Sequence, residues 1–425
     1  MKFDHICIIG LGYIGLPTAG SFAVHGIRVT GVDSNPEVIS SLSNGKVHIT
    51  EPGLKELVDL VIKKGNFRVS PNPVEADAFI IAVPTPFCGE KKADLSFVCS
   101  AAKSIIPVLR EGNLVILEST SPPLTTENVV RPILEKSGLK AGKDFKLAYS
   151  PERVLPGQIL KELTENSRVI GGIDCASAEA GRDLYRRFVK GEIVLTDATT
   201  AEMVKLMENT YRDVNIAIAN EFSRLADRFG VDVWEAIQIA NRHPRVKILN
   251  PGPGVGGHCI SVDPWFFVEA APDLTPLIHT ARKVNDSQPE FVLATLKKTL
   301  GELKGKKIAA LGLSFKSDVD DLRESPAIDI VHLLIKEGAS VSVYEPFKPD
   351  FQLKGAVTAP TLEGAIKNAE VLLLLVGHKQ FKNLDPVTLA RQTSSRLALD
   401  TVNGWESQSW SEAGFQVNKL GRGKQ

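Results

Sequence analysis

An excess of either charge is missing from this 425-residue chain, in which 50 lysines and arginines face 50 aspartates and glutamates. That balance excludes a nucleic-acid binder built on surplus positive charge and an acidic solvating tail. Cysteine is scarce: Cys7, Cys88, Cys99, Cys175 and Cys259 are odd in number and widely spaced, with no CxxC pair. They read as reduced thiols, not as a disulfide framework. The eight histidines show no HxxxH or HExxH spacing, so no metal site is expected. Long apolar runs are lacking too. The longest purely aliphatic run, Val371 to Val376, falls far short of the roughly 20 residues that span a bilayer. The start, MKFDHICIIG, places Asp4 and His5 before the first apolar run and has neither the basic start nor the cleavage site of a signal peptide. The expectation is a cytoplasmic protein with no membrane and no nucleic-acid partner.

What is present is ordinary globular material, 43% hydrophobic and 24% charged, which excludes disorder, collagen and coiled coil for the chain as a whole. At about 150 residues per domain the length suggests two or three domains. Ile6–Ile9, Arg28–Val32, Ala78–Val83, Leu114–Glu118 and Lys146–Tyr149 read as strands separated by helix-like stretches, the pattern of a doubly wound parallel sheet. From Thr200 to Phe229 there is no proline or glycine. Apolar residues recur at Met207, Tyr211, Val214, Ile218, Phe222 and Leu225, one face of a long helix. The last third returns to strands at Lys307–Gly312, Ala339–Tyr344 and Val371–Val376. It also echoes the first: HICIIGLG against KIAALGLS, HGIRVTGVD against EGASVSVYE, ADAFIIAVPTP against AEVLLLLVGHK. The expected architecture is α/β, with two Rossmann-like doubly wound parallel-sheet domains joined by a helical centre. Its parts are a first α/β domain at 1–199, a central helical domain at 200–295 and a third, α/β domain at 296–425.

Gly10-Leu11-Gly12-Tyr13-Ile14-Gly15 follows a strand directly and opens a helix. Gly10 permits the tight turn, Gly12 lets backbone approach a pyrophosphate, and Gly15 lets the helix pack on the sheet. The helix N-terminus offers unpaired N–H groups to the anion. Asp33 ends the next strand, where an acid takes ribose hydroxyls and disfavours a 2′-phosphate, so the cofactor reads as NAD. The second turn, Gly312-Leu313-Ser314, lacks the other glycines and does not read as a second NAD site.

Asn250-Pro-Gly-Pro-Gly-Val-Gly-Gly-His-Cys259 is the most unusual stretch. A loop of this kind brings backbone very close to a ligand and presents a thiol at a fixed angle, which makes Cys259 a candidate nucleophile. Asp263 comes within reach of the same site if the segment turns helically. Lys205 and Asn209, spaced i,i+4, share a helix face and suit an oxyanion or proton-transfer pair. Glu152 follows the strand ending at Tyr149, where α/β sheets bind ligands, and suits a general base; otherwise it is a surface turn acid. Thr120 also follows a strand, and its hydroxyl suits a water or a substrate oxygen.

Together these segments resemble the UDP-glucose/GDP-mannose dehydrogenase family over nearly the whole chain. The resemblance is carried by GLGYIGLP at 10–17, VPTP at 83–86, EST at 118–120, SPER at 150–153, AEMVKLMENTYRDVNIAIANE at 201–221, GVGGHC at 254–259 and LSFKSDVDDLRESPA at 313–327. It implies four-electron oxidation of a sugar C6 alcohol to a carboxylate with two NAD⁺, and a UDP-sugar-binding role for 296–425. It further implies that Cys259 forms a thiohemiacetal and then a thioester, and that Lys205 and Asn209 stabilise oxyanions. Asp263 and Thr120 would hold the catalytic water, and Glu152 would be the general acid/base. Motif by motif it places Gly10, Gly12, Tyr13, Ile14, Gly15, Asp33, Pro84, Thr85, Thr120 and Arg323 at the cofactor. It places Glu152, Arg153, Val154, Lys205, Asn209, Arg212, Arg242, His243, Arg245, Gly256, His258 and Lys316 at the substrate. Arg242 and Arg245 would reach it across a subunit interface in a homodimer or higher homo-oligomer.

Within the family, VLPG after SPER, NRHPR at 241–245 and PGPGVGGHCISVDPWF at 251–266 resemble the branch acting on UDP-N-acetyl-D-mannosamine. The UDP-glucose branch carries a second Glu where this chain has Pro156, and a Lys where it has Val262. The same reaction on UDP-N-acetyl-D-glucosamine is the alternative. A two-electron β-hydroxyacid dehydrogenase leaves Cys259 and the third region unexplained, and a catalytically silent NAD-binding protein needs no nucleophile.

Overall fold

The computed structural model describes residues 2–89 and 91–423. The chain divides into two compact units, Met1–Glu208 with Trp265–Pro272, and Asn209–Pro264 with Asp273–Gln425.

The first unit is built on eight strands: β1 (His5–Ile9), β2 (Arg28–Val32), β3 (Phe67–Ser70), β4 (Ala78–Ile81), β5 (Leu114–Leu117), β6 (Lys146–Tyr149), β7 (Arg168–Gly172) and β8 (Ile193–Asp197). Their order across the sheet is β8-β7-β6-β5-β4-β1-β2-β3. Strands β1 to β6 run parallel; β7 runs antiparallel to β6, and β8 parallel to β7. Helices cover both faces, so the strands are apolar throughout. In β1, Ile6 and Ile8 enter one core, Cys7 and Ile9 the other; in β4, Ala78 and Ile80 oppose Phe79 and Ile81 in the same way. Helix α1 (Gly15–Val24) lays Leu16, Ala19 and Phe22 into the first of these cores.

The second unit repeats the plan with six strands: β9 (Lys307–Leu311), β10 (Ser340–Tyr344), β11 (Val357–Thr358), β12 (Val371–Leu374), β13 (Leu397–Asp400) and β14 (Gln416–Lys419). All are parallel, in the order β11-β10-β9-β12-β13-β14. Ile308 and Ala310 face one core, Ala309 and Leu311 the other. The two Rossmann-like sheets and the helical centre agree with the sequence reading.

Helix α2 (Ala198–Phe229) is continuous for 32 residues and begins in one unit and ends in the other. It is followed by α3 (Val233–Ala240), capped by the Asp232 carboxylate, then α4 (Asp263–Ala270), α5 (Pro276–Asp286) and α6 (Gln288–Leu300). Within the second unit a buried polar network holds α2 to α5 and α6. Arg282 donates to Asp213 at 2.5 Å, Asn220 donates to Asn285 at 2.9 Å, and the Arg224 guanidinium grips Gln288. Removing one partner leaves a buried polar group unsatisfied, at a cost of about 1–3 kcal/mol. Cys7, Cys99, Cys175 and Cys259 form no disulfide; the side chain of Cys88 lies outside the described set. Among the described residues no helix is long and apolar enough to cross a membrane, and no three His, Cys, Asp or Glu side chains gather as a metal cluster.

Candidate active site

At the carboxyl end of the first sheet, β1 runs into Gly10, whose φ is +96°. A Cβ on Gly10 would lie 2.4 Å from the Ala82 carbonyl oxygen, and one on Gly15 would lie 1.8 Å from the Gly10 carbonyl oxygen. Both glycines are therefore demanded by the protein's own packing. Gly12 differs, because a Cβ there meets nothing within 4 Å. The open space above it suits the close approach of a pyrophosphate. Helix α1, which follows the turn carrying Tyr13 and Ile14, starts without a side-chain cap and without an acid in its first turn, and such a helix N-terminus suits an anion. One oxygen of Asp33 accepts the Leu11 N–H at 2.9 Å and the other accepts the Asn35 N–H at 2.9 Å. The carboxylate is thereby fixed beside the glycine turn. Thr85, next to Pro84, donates its hydroxyl to the Thr120 carbonyl at 2.7 Å, and the Val83 N–H donates to Ser119 Oγ at 3.0 Å. The loops after β4 and β5 are thus joined. These residues fit NAD.

Glu152, just past β6, is not a surface acid: its side chain is 8% exposed. Arg168 Nη2 donates to its Oε2 at 2.6 Å, and the Arg153 N–H donates to its Oε1 at 2.7 Å. Arg168 Nη1 reaches Glu118 Oε1 at 3.2 Å and Ser150 Oγ at 3.0 Å, and the Tyr185 hydroxyl donates to Glu118 Oε1 at 2.7 Å. Burial pushes the Glu118 carboxyl up to about 7 against the pull of Arg168. Burial and Glu118 together raise the Tyr185 phenol. Burial alone would lower Arg168, but Glu152, Tyr185 and Glu118 carry it upward. Sequence reasoning did not select Glu118, Arg168, Ser150 or Tyr185. The available signal was a charge at the end of the apolar run LVILE and another at the start of RVIGG. Arg153 itself is spent on protein partners, donating to Glu208 at 2.6 Å and to the Ser167 carbonyl, and Val154 packs beneath on the core.

Lys205 and Asn209, one turn apart on α2, are both buried. No salt bridge joins Lys205 to a carboxylate among the described residues, although the residue is 7% exposed. Glu202, one turn before Lys205, accepts the N–H groups of Leu124 and Thr126 at 2.7 and 2.8 Å, which ties the loop after Thr120 to the helix. In the second unit, Asn209 Nδ2 donates to Asp263 Oδ2 at 2.6 Å. The Asp263 N–H donates to the Cys259 carbonyl at 2.8 Å, so residues 259–263 do make a helical turn and Cys259 is linked to Asn209 through Asp263. Cys259 is exposed.

The glycines before Cys259 have a reason that the sequence does not disclose. A Cβ on Gly256 would lie 2.3 Å from the Glu324 carbonyl oxygen, on Gly257 2.6 Å from the Phe315 ring, and on Gly254 2.8 Å from Pro326. The close approach is to the chain's own segment 313–327, and the Gly257 N–H donates to the Arg323 carbonyl at 3.2 Å. That segment also carries the exposed Lys316. Arg323 Nη2 donates to Asp321 at 2.6 Å. Burial, then the neighbouring Arg323, lowers the His258 imidazole, which favours its neutral form. Arg212 on α2 and Arg242, His243 and Arg245 after α3 stand at the surface, with the Arg245 N–H donating to His243 Nδ1 at 3.3 Å.

A glycine turn fitted to NAD, a buried acid held on arginine and an exposed cysteine on a supported loop define a dehydrogenase. The chain matches the NAD-binding domain of the UDP-glucose/GDP-mannose dehydrogenase family over residues 4–189, its central domain over 199–287 and its UDP-binding domain over 309–407. It is 49% identical to the UDP-N-acetyl-D-mannosamine dehydrogenase of Methanocaldococcus jannaschii, over 99% of this chain and 97% of that protein. It is 48% identical to an NDP-N-acetyl-D-galactosaminuronic acid dehydrogenase of Ralstonia nicotianae, over 96% and 97%. The solved UDP-D-ManNAc dehydrogenase of Pyrococcus horikoshii superposes with a TM-score of 0.92 at 41% identity, over 99% of this chain and 100% of that one. The chain therefore belongs to the UDP-glucose/GDP-mannose dehydrogenase family, and it is an NAD-dependent UDP-sugar dehydrogenase.

Proposed function

We propose that the chain oxidises UDP-N-acetyl-D-mannosamine at C6 to UDP-N-acetyl-D-mannosaminuronate, in the cytoplasm, with Cys259 as nucleophile. The observation that carries the reading is the exposed Cys259 on a turn fastened to Asp263 and through it to Asn209. The two hydrides would pass to two NAD⁺ bound in turn, one to each. Glu152 takes the proton of the C6 hydroxyl as the aldehyde forms. The Cys259 thiol then adds to the aldehyde; an S–C bond forms and the carbonyl oxygen gains a proton, giving a thiohemiacetal. Loss of its C6 hydrogen as hydride and of its hydroxyl proton gives a thioester. Water held by Asp263 and Thr120 adds, the C–S bond breaks, and carboxylate and thiol are released. The Lys205 ammonium and Asn209 amide stabilise the oxyanions of these steps.

The names of the relatives support the sugar, as do Pro156 and Val262, which remove a carboxylate and a lysine found in the UDP-glucose branch. Lys316 is assigned to the UDP-sugar and Arg323 to the cofactor. A homodimer or higher homo-oligomer is supported by the apolar side chains that α2 exposes in the second unit, among them Tyr211 at 66% and Phe229 at 70%. They continue into an apolar groove of about 330 Å³ lined by Phe222, Leu225, Val233 and Ile237.

The test is NADH yield from limiting UDP-N-acetyl-D-mannosamine with excess NAD⁺, beside UDP-N-acetyl-D-glucosamine and UDP-glucose. Two NADH per UDP-N-acetyl-D-mannosamine, with little from the others, is expected. One NADH removes the role of Cys259, and two from another sugar replaces the substrate.

A further inference from the structure

The cluster beneath Glu152 places two carboxylates against one guanidinium, out of water. Side-chain exposure is 0% for Glu118, 5% for Arg168 and 8% for Glu152. Tyr185 and Ser150 are fully buried beside them, and the Arg168 guanidinium lies 4.2 Å above the Tyr185 ring. No second cation joins the cluster among the described residues. With both acids ionised the site would hold an uncompensated buried anion, which a protein avoids by retaining a proton. Geometry selects which acid retains it. Glu152 has the shorter contact, 2.6 Å against 3.2 Å, and also accepts a backbone N–H. Glu118 lies deeper, and its Oε2 has no hydrogen-bond partner.

We propose that Arg168 is a positioning residue for Glu152, and that a proton held on Glu118 leaves the single guanidinium to keep Glu152 ionised and aimed. The inference rests on the reading of Glu152 as the acid/base. While Glu118 is neutral, the Arg168 charge belongs to Glu152, which then stands as an anion able to take the C6 hydroxyl proton. When Glu118 ionises, the guanidinium is divided between two anions and its hold on Glu152 weakens. The titrating and charged groups facing Glu118 are Arg168, Glu152 and Tyr185.

The test uses the full-length chain and its Arg168→Lys, Arg168→Gln and Glu118→Gln variants. The measurements are kcat and KM for the UDP-sugar from pH 5.5 to 9, with infrared spectra of the protonated-carboxyl stretch over the same range. Arg168→Gln is expected to lower kcat about a hundredfold with KM within about threefold, and to move the acid limb of kcat to higher pH. Arg168→Lys recovers part of that loss because it restores the charge without the fork. Glu118→Gln, which still accepts from Tyr185 and Arg168, removes the inflection near neutral pH. It also removes a protonated-carboxyl band that the unsubstituted chain loses between pH 6 and 8. An unshifted acid limb in Arg168→Gln, or equal losses in Arg168→Lys and Arg168→Gln, overturns the positioning role. A band that persists in Glu118→Gln overturns the proton assignment. Should Arg168→Gln fail to fold, Arg168→Lys and Glu118→Gln decide alone. The infrared readout needs no turnover, so a chain inactive on every sugar sinks the proposed reaction while the Glu118 assignment is still decided.

Discussion

Asp33 and Glu345 hold equivalent turns in the two sheets. Asp33 Oδ2 accepts the N–H of Leu11 at 2.9 Å, and Glu345 Oε2 accepts the N–H of Leu313 at 2.7 Å. Each of those residues follows a glycine with φ near +95°, Gly10 at +96° and Gly312 at +93°. The weak echo between HGIRVTGVD and EGASVSVYE is therefore an echo of function within the fold. It ends at the crevice itself. Glu345 is closed in, since it also accepts from Ser314 and Phe347 and contacts His378 at 3.2 Å. Asp33 is only half-buried.

Asp33→Arg removes the acid from the ribose edge and the acceptor from Leu11. The ratio of kcat/KM for NAD over NADP should fall at least about tenfold, a change of about 1.4 kcal/mol. Steady-state kinetics with both cofactors check this; an unchanged ratio would mean that Asp33 serves the turn alone.

Cys259→Ser should abolish net acid formation, because an oxygen adduct does not pass readily through the sequence of addition, hydride loss and hydrolysis that a thiol supports. Cys175→Ser, at another exposed thiol outside the site, should leave the rate as it was. Product analysis after long incubation decides the point, and carboxylate from Cys259→Ser would end the thioester route.

Gly12 and Gly256 are both motif glycines, yet they answer to different neighbours. Gly256→Ala drives a methyl to 2.3 Å from the Glu324 carbonyl oxygen, backbone against backbone. It should cost about 1–3 kcal/mol and disturb the Cys259 loop. Gly12→Ala places its methyl in open space, so unfolding should change by less than about 0.5 kcal/mol while KM for NAD rises. Denaturant melts and NAD titrations of the two variants separate the cases. A Gly12→Ala protein that binds NAD normally would remove the pyrophosphate from that position.

Much of the architecture was legible because its signals are local. An apolar run such as Val371–Leu374 can only be a strand buried on both faces, and a stretch without proline or glycine from Thr200 to Phe229 propagates as helix. Short strands such as Phe67–Ser70 and Gln416–Lys419 are half-exposed, carry no such run, and escaped notice. The candidate site was legible where a single conspicuous residue draws attention to its loop, as at Cys259. It was not legible where it is carried by pairing. Arg168 lies 16 residues from Glu152 and 50 from Glu118, and nothing in the chain order announces that the three share one buried pocket. The glycines of 254–257 were visible, but the backbone they approach, 313–327, is set by tertiary packing.

Glu118 and Glu345 give opposite responses to pH. Burial raises Glu118 from an ordinary 4.5 to about 7. Between those values the unfolded chain has released a proton that the folded chain retains, so stability falls as pH rises through the window and the loss is complete above about 7. For Glu345, burial alone would raise the carboxyl, but His378 and the N–H groups of Leu313 and Phe347 outweigh it and hold it below its ordinary value. Its contribution is present above about 4.5 and is lost as pH falls through the folded value. Glu118→Gln should therefore gain stability at pH 8 relative to pH 5, by on the order of 1–3 kcal/mol. Glu345→Gln should cost about 1–3 kcal/mol at neutral pH and less in acid, where the native carboxyl is already protonated. Thermal unfolding of the three proteins from about pH 2.5 to 8 checks both signs. A Glu118→Gln chain whose pH slope matches the unsubstituted one would show that Glu118 is ionised throughout, and that the single guanidinium of Arg168 carries two buried anions.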